Sequence, residues 1–172
     1  MINFLPRYIF NFAALILLQV LILNNLQFSG SLNPYLYVLF IISLPFSTPR
    51  WLLLVLGFIT GITIDIFMNT LGIHAAATVF MTFLRPFFLS SFAPRDGYEP
   101  GTRPVPADYG FGWFFKYAAL MVVTHHLFLF FVEAFSFKSF PATLWKSILS
   151  SFVSIVFIFI AMLFTNRRSK TY

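Results

Sequence analysis

The chain has 172 residues, 59% of them hydrophobic and only 9% charged, with a mean hydropathy of +0.87. A soluble domain carries roughly a quarter charged residues to meet water, so this composition excludes one and makes lipid the solvent for most of the surface. The formal charge of +6 then marks loops on one side of a membrane, not a nucleic-acid surface, and the lack of cysteine excludes disulfides, thiol nucleophiles and thiolate-held metals.

A helix needs about 20 apolar residues to cross a hydrocarbon core of roughly 30 Å. The first candidate covers residues 8–28, with Asn24, Asn25 and Gln27 near its far end. It is longer than the apolar run of a signal peptide and no Ala-x-Ala site follows, so it is expected to remain as a span. The second, residues 34–48, is short and bounded by Pro34, Pro45 and Pro49. A short crossing and a re-entrant segment both fit it, and a crossing is expected. Residues 51–68 and 72–92 form the third and fourth spans. The stretch 93–112 holds four prolines, several glycines and mixed charge without a hydrophobic period, which predicts a cytoplasmic, solvated connector. Residues 113–135 and 145–164 complete an expected all-α bundle of about six transmembrane helices in a single integral-membrane domain, 1–172.

Charge placement agrees with six spans. With a cytoplasmic N-terminus the inner side holds Arg7, Arg50, Arg95, Arg103, Lys116, Arg167, Arg168 and Lys170, and Arg85 is expected to snorkel to the same side. Only Lys138 and Lys146 fall outside, beside Glu133. Trp51, Trp113 and Trp145 sit at span ends, where interfacial anchors belong.

The informative residues are polar ones that are costly in lipid. Gly57, Gly61 and Asp65 recur every four residues, with Asn69 one turn on. Four residues advance a helix by about 400°, so they form one stripe, and glycines at this spacing let another helix approach closely. Asp65 then faces that seam, as a capping or packing carboxylate or as a functional one. Asn69 to His74 is short enough to require a tight turn, for which Asn69 and Gly72 supply the chemistry. The fold-back brings His74 near Asp65, either as a proton-transfer pair or as a bond that fixes the turn. In the fifth span His125 and His126 diverge by about 100° and cannot share one ligand. His126 and Glu133 share a face about 10 Å apart along the axis. Interhelical hydrogen bonding is expected of all three, and Ser90, Ser91, Ser150 and Ser151 read as packing residues. No phosphate loop, zinc-protease pair or nucleophile elbow occurs, which argues against an enzyme.

The stretch Gly57-x-x-x-Gly61-x-x-x-Asp65, followed by Leu71-Gly72-Ile73-His74, resembles the bacterial rod shape-determining protein family MreD, as do the size, span count and basic ends. The resemblance implies a non-enzymatic inner-membrane scaffold without a cofactor. It would bind a single-span partner of the MreC type and link MreB filaments indirectly to the peptidoglycan synthase RodA and its transpeptidase. It also implies a fold similar to the substrate-binding subunit of energy-coupling-factor vitamin transporters, which is the alternative function. Under the scaffold reading the Gly57/Gly61 stripe would serve as the seam for the partner's span. Under the transporter reading Asp65, Asn69 and His74 would line an outward cavity. A proton-coupled small transporter resting on Asp65, His126 and Glu133 is a third class.

Overall fold

A computed structural model describes residues 5–25, 32–99, 101–136 and 138–165. Gln27, at the far end of the first expected span, and the basic residues Arg167, Arg168 and Lys170 lie outside the described residues. The described elements are helical: α1 (Leu5–Leu21) and a 3-10 turn (Leu23–Asn25), α2 (Leu39–Ile42), α3 (Arg50–Met68), α4 (Ile73–Ser91), α5 (Pro106–Tyr109), α6 (Phe111–Ala134) and α7 (Phe140–Thr165). Five of them, α1, α3, α4, α6 and α7, are long and apolar enough to cross a membrane.

Contacts fix their directions. Tyr8 near the start of α1 and Leu52 near the start of α3 line one cleft, so these helices begin at the same end of the bundle. The short 69–72 turn makes α4 antiparallel to α3. At the finish of α4, Trp113 of α6 donates from Nε1 to the Phe92 carbonyl at 3.1 Å. At the opposite end Lys146 of α7 pairs with Glu133 of α6 at 3.2 Å. The start of α1 and the end of α7 therefore lie on the same side.

The second expected span corrects the sequence reading. Residues 34–48 contain only one turn of helix, Leu39–Ile42, and Tyr35 to Ile42 are buried throughout. Pro45 lacks an amide donor and disfavours helix at the residue before it, so the turn ends at Ile42. Its chain nevertheless runs the length of the interior, from Tyr37 beside His74 to Phe46, whose amide donates to the Thr102 carbonyl at 3.2 Å. Non-helical backbone at membrane depth is tolerated only where protein surrounds it, and here protein supplies its hydrogen bonds. Gln19 of α1 donates to the Pro34 carbonyl at 2.9 Å and accepts from the Leu36 amide at 2.7 Å. Ser154 of α7 accepts from the Tyr35 amide at 2.8 Å. Tyr117 of α6 donates to the Ile42 carbonyl at 3.2 Å, and Arg85 of α4 donates to the Leu44 carbonyl.

Arg85 therefore does not snorkel. It is 1% exposed, and its Nε also donates to Tyr117 Oη at 2.8 Å. An inward carbonyl and phenol satisfy the guanidinium where the interface would otherwise have done so.

The 93–112 connector is also more ordered than expected. Thr102, Pro104, Val105 and Pro106 are buried, and α5 begins on Pro106, whose fixed φ suits a first helical position. Tyr98 stacks on Phe46 with centroids 4.1 Å apart, and its hydroxyl donates to the Leu89 carbonyl at 2.7 Å. Tyr109 and Trp113 pack edge-on against the same Phe46 ring. Trp113 is thus half-buried in an aromatic box, whereas Trp51 and Trp145 are exposed, as interfacial anchors are.

Candidate functional site

The α3–α4 hairpin places the first group of candidate residues. Asn69 takes φ +54 to end α3 and Gly72 takes φ +84 to open α4, both in the left-handed region that Asn and Gly tolerate. The Asp65 side chain, 2% exposed, accepts from the His74 amide at 3.1 Å, from the Ala75 amide at 2.8 Å and from the Thr70 hydroxyl. It caps α4 from the preceding helix, satisfying two of the amides that a helix start leaves open and placing negative charge at the positive end of the dipole. His74 is close to Asp65, as expected, but through its main-chain amide. Its ring turns elsewhere.

The glycine stripe faces α4 of the same chain. A methyl group on Gly61 would lie 2.4 Å from the Ala75 Cα and 2.6 Å from the His74 carbonyl oxygen, and one on Gly57 would lie 2.7 Å from Thr82 Oγ1. The expected seam for a partner's span is corrected accordingly: Gly57, Gly61 and Asp65 are occupied by the chain's own next helix.

The second group meets in the interior between α4, α6 and α7. Tyr37 Oη lies 3.0 Å from His74 Nδ1 and 2.7 Å from His125 Nε2. One hydroxyl proton cannot serve two acceptors, so one ring must donate to the phenol oxygen and the other accept from it. His125 Nδ1 is buried without a partner. A bare lone pair there costs less than an unpaired N–H, because the amide-type donor loses more on desolvation. We therefore assign the His125 proton to Nε2, donating to Tyr37, which donates in turn to His74. His126 faces a different set, as the 100° rule requires. Its Nδ1 lies 2.9 Å from the Val122 carbonyl and its Nε2 lies 3.0 Å from Ser154 Oγ. The carbonyl can only accept, so Nδ1 carries the proton and Nε2 accepts from Ser154. The Tyr35 ring packs between these histidines, with centroids 5.1 Å from His74 and 5.3 Å from His126.

Glu133 does not join them. It is exposed near the end of α6, paired with Lys146, which also lies 4.3 Å over the Phe130 ring. Its bond runs between helices, as expected, but to Lys146 and not into the network of His126. Ser150, Ser151 and Ser154 lie on the buried face of α7, as packing residues do. Among the described residues no group of three His, Asp or Glu side chains could hold a metal ion.

Several members of this network lay outside the sequence reading: Gln19, Tyr35, Tyr37, Tyr117 and Ser154. Gln19 carried a signal, being the one polar side chain in the apolar run from Ala13 to Leu23. The tyrosines of the second segment carried none, because a tyrosine among aliphatics reads equally well as an interfacial residue.

Fold and site together define a multi-pass helical membrane protein whose costly polar groups are spent on one another and on a buried irregular segment. No family model matches the chain, and neither a curated protein nor a solved structure shows significant similarity to it.

Proposed function

We propose that this chain is a non-enzymatic scaffold of the cell-elongation machinery, of the MreD type. It would sit in the cytoplasmic membrane with both termini inside, and it would join an MreC-like single-span protein to the RodA–transpeptidase pair and, indirectly, to MreB filaments. The observation that carries this reading is the coherence of the motif behind the resemblance. Gly57, Gly61, Asp65, Gly72 and His74 act as one hairpin lock, in which the glycines admit α4, the carboxylate caps it and the turn sets its direction. A motif that builds the fold in this way fits a protein whose output is shape and lateral contact. The outward faces of α3, α4 and α7, with Phe58, Phe83 and Phe152 exposed, are free for such contacts in the bilayer.

The substrate-binding subunit of a vitamin transporter is less well supported. The groups that would line its cavity point at each other: Asp65 at amides of α4, and His74 at Tyr37, with Tyr35 filling the space between the rings. The proton-coupled transporter is weakened by the separation of Asp65, His126 and Glu133 into three unconnected hydrogen-bond sets.

The deciding experiment is purification of the tagged protein from its native membrane in mild detergent, with mass spectrometry of what accompanies it. The scaffold reading expects an MreC-like protein and the elongation synthases. Recovery of paired ATPases with a coupling membrane subunit would replace it with the transporter reading.

A further inference from the structure

One cleft in the molecule is unrelated to the polar interior. It opens between α1 and α3, with a volume of about 430 Å³, and its floor is the buried segment 34–48. Phe12, Phe40, Leu44, Leu52 and Leu56 wall it, and the hydroxyls of Tyr8, Ser47 and Thr48 lie at one end. Arg7, exposed, precedes Tyr8 at that end. Arg103, from the packed connector, acts electrostatically on both Tyr8 and Arg7. Burial, and then the neighbouring Arg7 charge, pull the Arg103 guanidinium below its ordinary value, while Asp108 offsets only part of this crowding.

We propose that the cleft binds an anionic phospholipid, with an acyl chain against Phe40 and Leu56 and the phosphate on Arg7 and Arg103. Shape and charge each point there independently. Leu52 and Leu56 extend the cleft along α3 for about 6 Å between them, and Ile59 adds about 4.5 Å more. Flexible methylene chains suit an apolar cleft walled by Phe12, Phe40 and Leu56. Arg7 and Arg103 beside Tyr8 then favour a negatively charged headgroup, the chemistry by which basic pockets between transmembrane helices select anionic lipids. Guanidinium forks suit phosphate oxygens better than ammonium groups do. This inference stands apart from the scaffold reading, since it requires only the described α1–α3 geometry.

The test is native mass spectrometry of the purified full chain, equilibrated with phosphatidylglycerol or with phosphatidylcholine of the same acyl chains. Phosphatidylglycerol should be retained preferentially. The double variant Arg7→Gln, Arg103→Gln should reduce that preference roughly 10- to 30-fold while leaving phosphatidylcholine retention unchanged. Leu56→Trp, which places a ring in open space, should lower retention of both lipids with the helical content preserved. Equal retention of the two lipids by the native chain would overturn the proposal. So would a preference that survives the arginine variant, or a cleft occupied by a second copy of the chain and detected as a dimer that excludes lipid.

Discussion

The guanidinium of Arg85 on α4 donates to the main-chain carbonyl of Leu44, in the segment that runs unwound through the bundle. A full charge is thereby used to satisfy backbone that has no ladder of its own, and the same group holds Tyr117 in place to serve Ile42. Hydrogen bonds to charged donors contribute about 1.5–3 kcal/mol each. Arg85→Met should therefore lower the stability of the detergent-solubilised protein by about 3 kcal/mol, read as a fall in the thermal unfolding midpoint. Arg85→Lys should recover only part of this, because an ammonium lacks the fork that reaches both oxygens. An unchanged midpoint in Arg85→Met would show that the Leu44 carbonyl finds another donor.

The two glycines of α3 should behave differently. At Gly61 the obstructing atoms are the main chain of His74 and Ala75, which cannot yield without parting the helices. Gly61→Ala is expected to cost about 2–3 kcal/mol. At Gly57 the obstacle is the Thr82 hydroxyl, so Gly57→Ala should be milder and Thr82→Ala should rescue it. A double-mutant cycle with coupling below about 0.5 kcal/mol would contradict that contact.

Asp65→Ala strips the cap from α4 and should cost about 1–2 kcal/mol, with the increase in amide exchange concentrated at residues 73–75. Asp65→Asn keeps one acceptor oxygen and should cost less. If Asp65→Asn abolished activity in cells while leaving stability and exchange unaltered, Asp65 would have a role beyond the cap.

Tyr37→Phe removes the hydroxyl that bridges His74 and His125 and leaves both ring nitrogens without it. The expected loss is about 1–3 kcal/mol. In a cycle with His125→Phe the two changes should be strongly non-additive, since either one alone breaks the same chain.

The chain contains no cysteine, so single introduced cysteines can report the sidedness of each loop without background. Gly97→Cys and Ser136→Cys, at opposite ends of the bundle, should react with an impermeant maleimide from opposite faces of the membrane. With both termini inside, residue 97 should label only after the membrane is opened. The reverse pattern would invert the orientation.

What could be read from the sequence follows from how local each cause is. The five long helices announce themselves through runs of apolar residues, and the 69–72 turn through Asn69 and Gly72, because neighbours along the chain determine both. The segment 34–48 could not be read, since its shape depends on Gln19, Arg85, Tyr117 and Ser154, all distant in sequence. The glycine stripe was visible, but spacing alone does not reveal whose helix fills it. Arg85 followed the same logic. The snorkelling rule assumes lipid around the side chain, and here the bundle offers better oxygens than the interface. The packed connector was hidden because its order comes from Phe46 meeting Tyr98, Tyr109 and Trp113, a contact between separate stretches.

The irregular segment also sets a condition on biogenesis. Tyr35 is made early, yet its amide is satisfied by Ser154 on α7, made 119 residues later. Chains grow from the N-terminus at about 5–20 residues per second, so for several seconds the newborn protein holds this stretch of backbone beside the bilayer without its final acceptor. Completion of α7 is therefore the step that gives the Tyr35 amide its acceptor. A chain that stops short of it carries its own mark for the membrane's proteases.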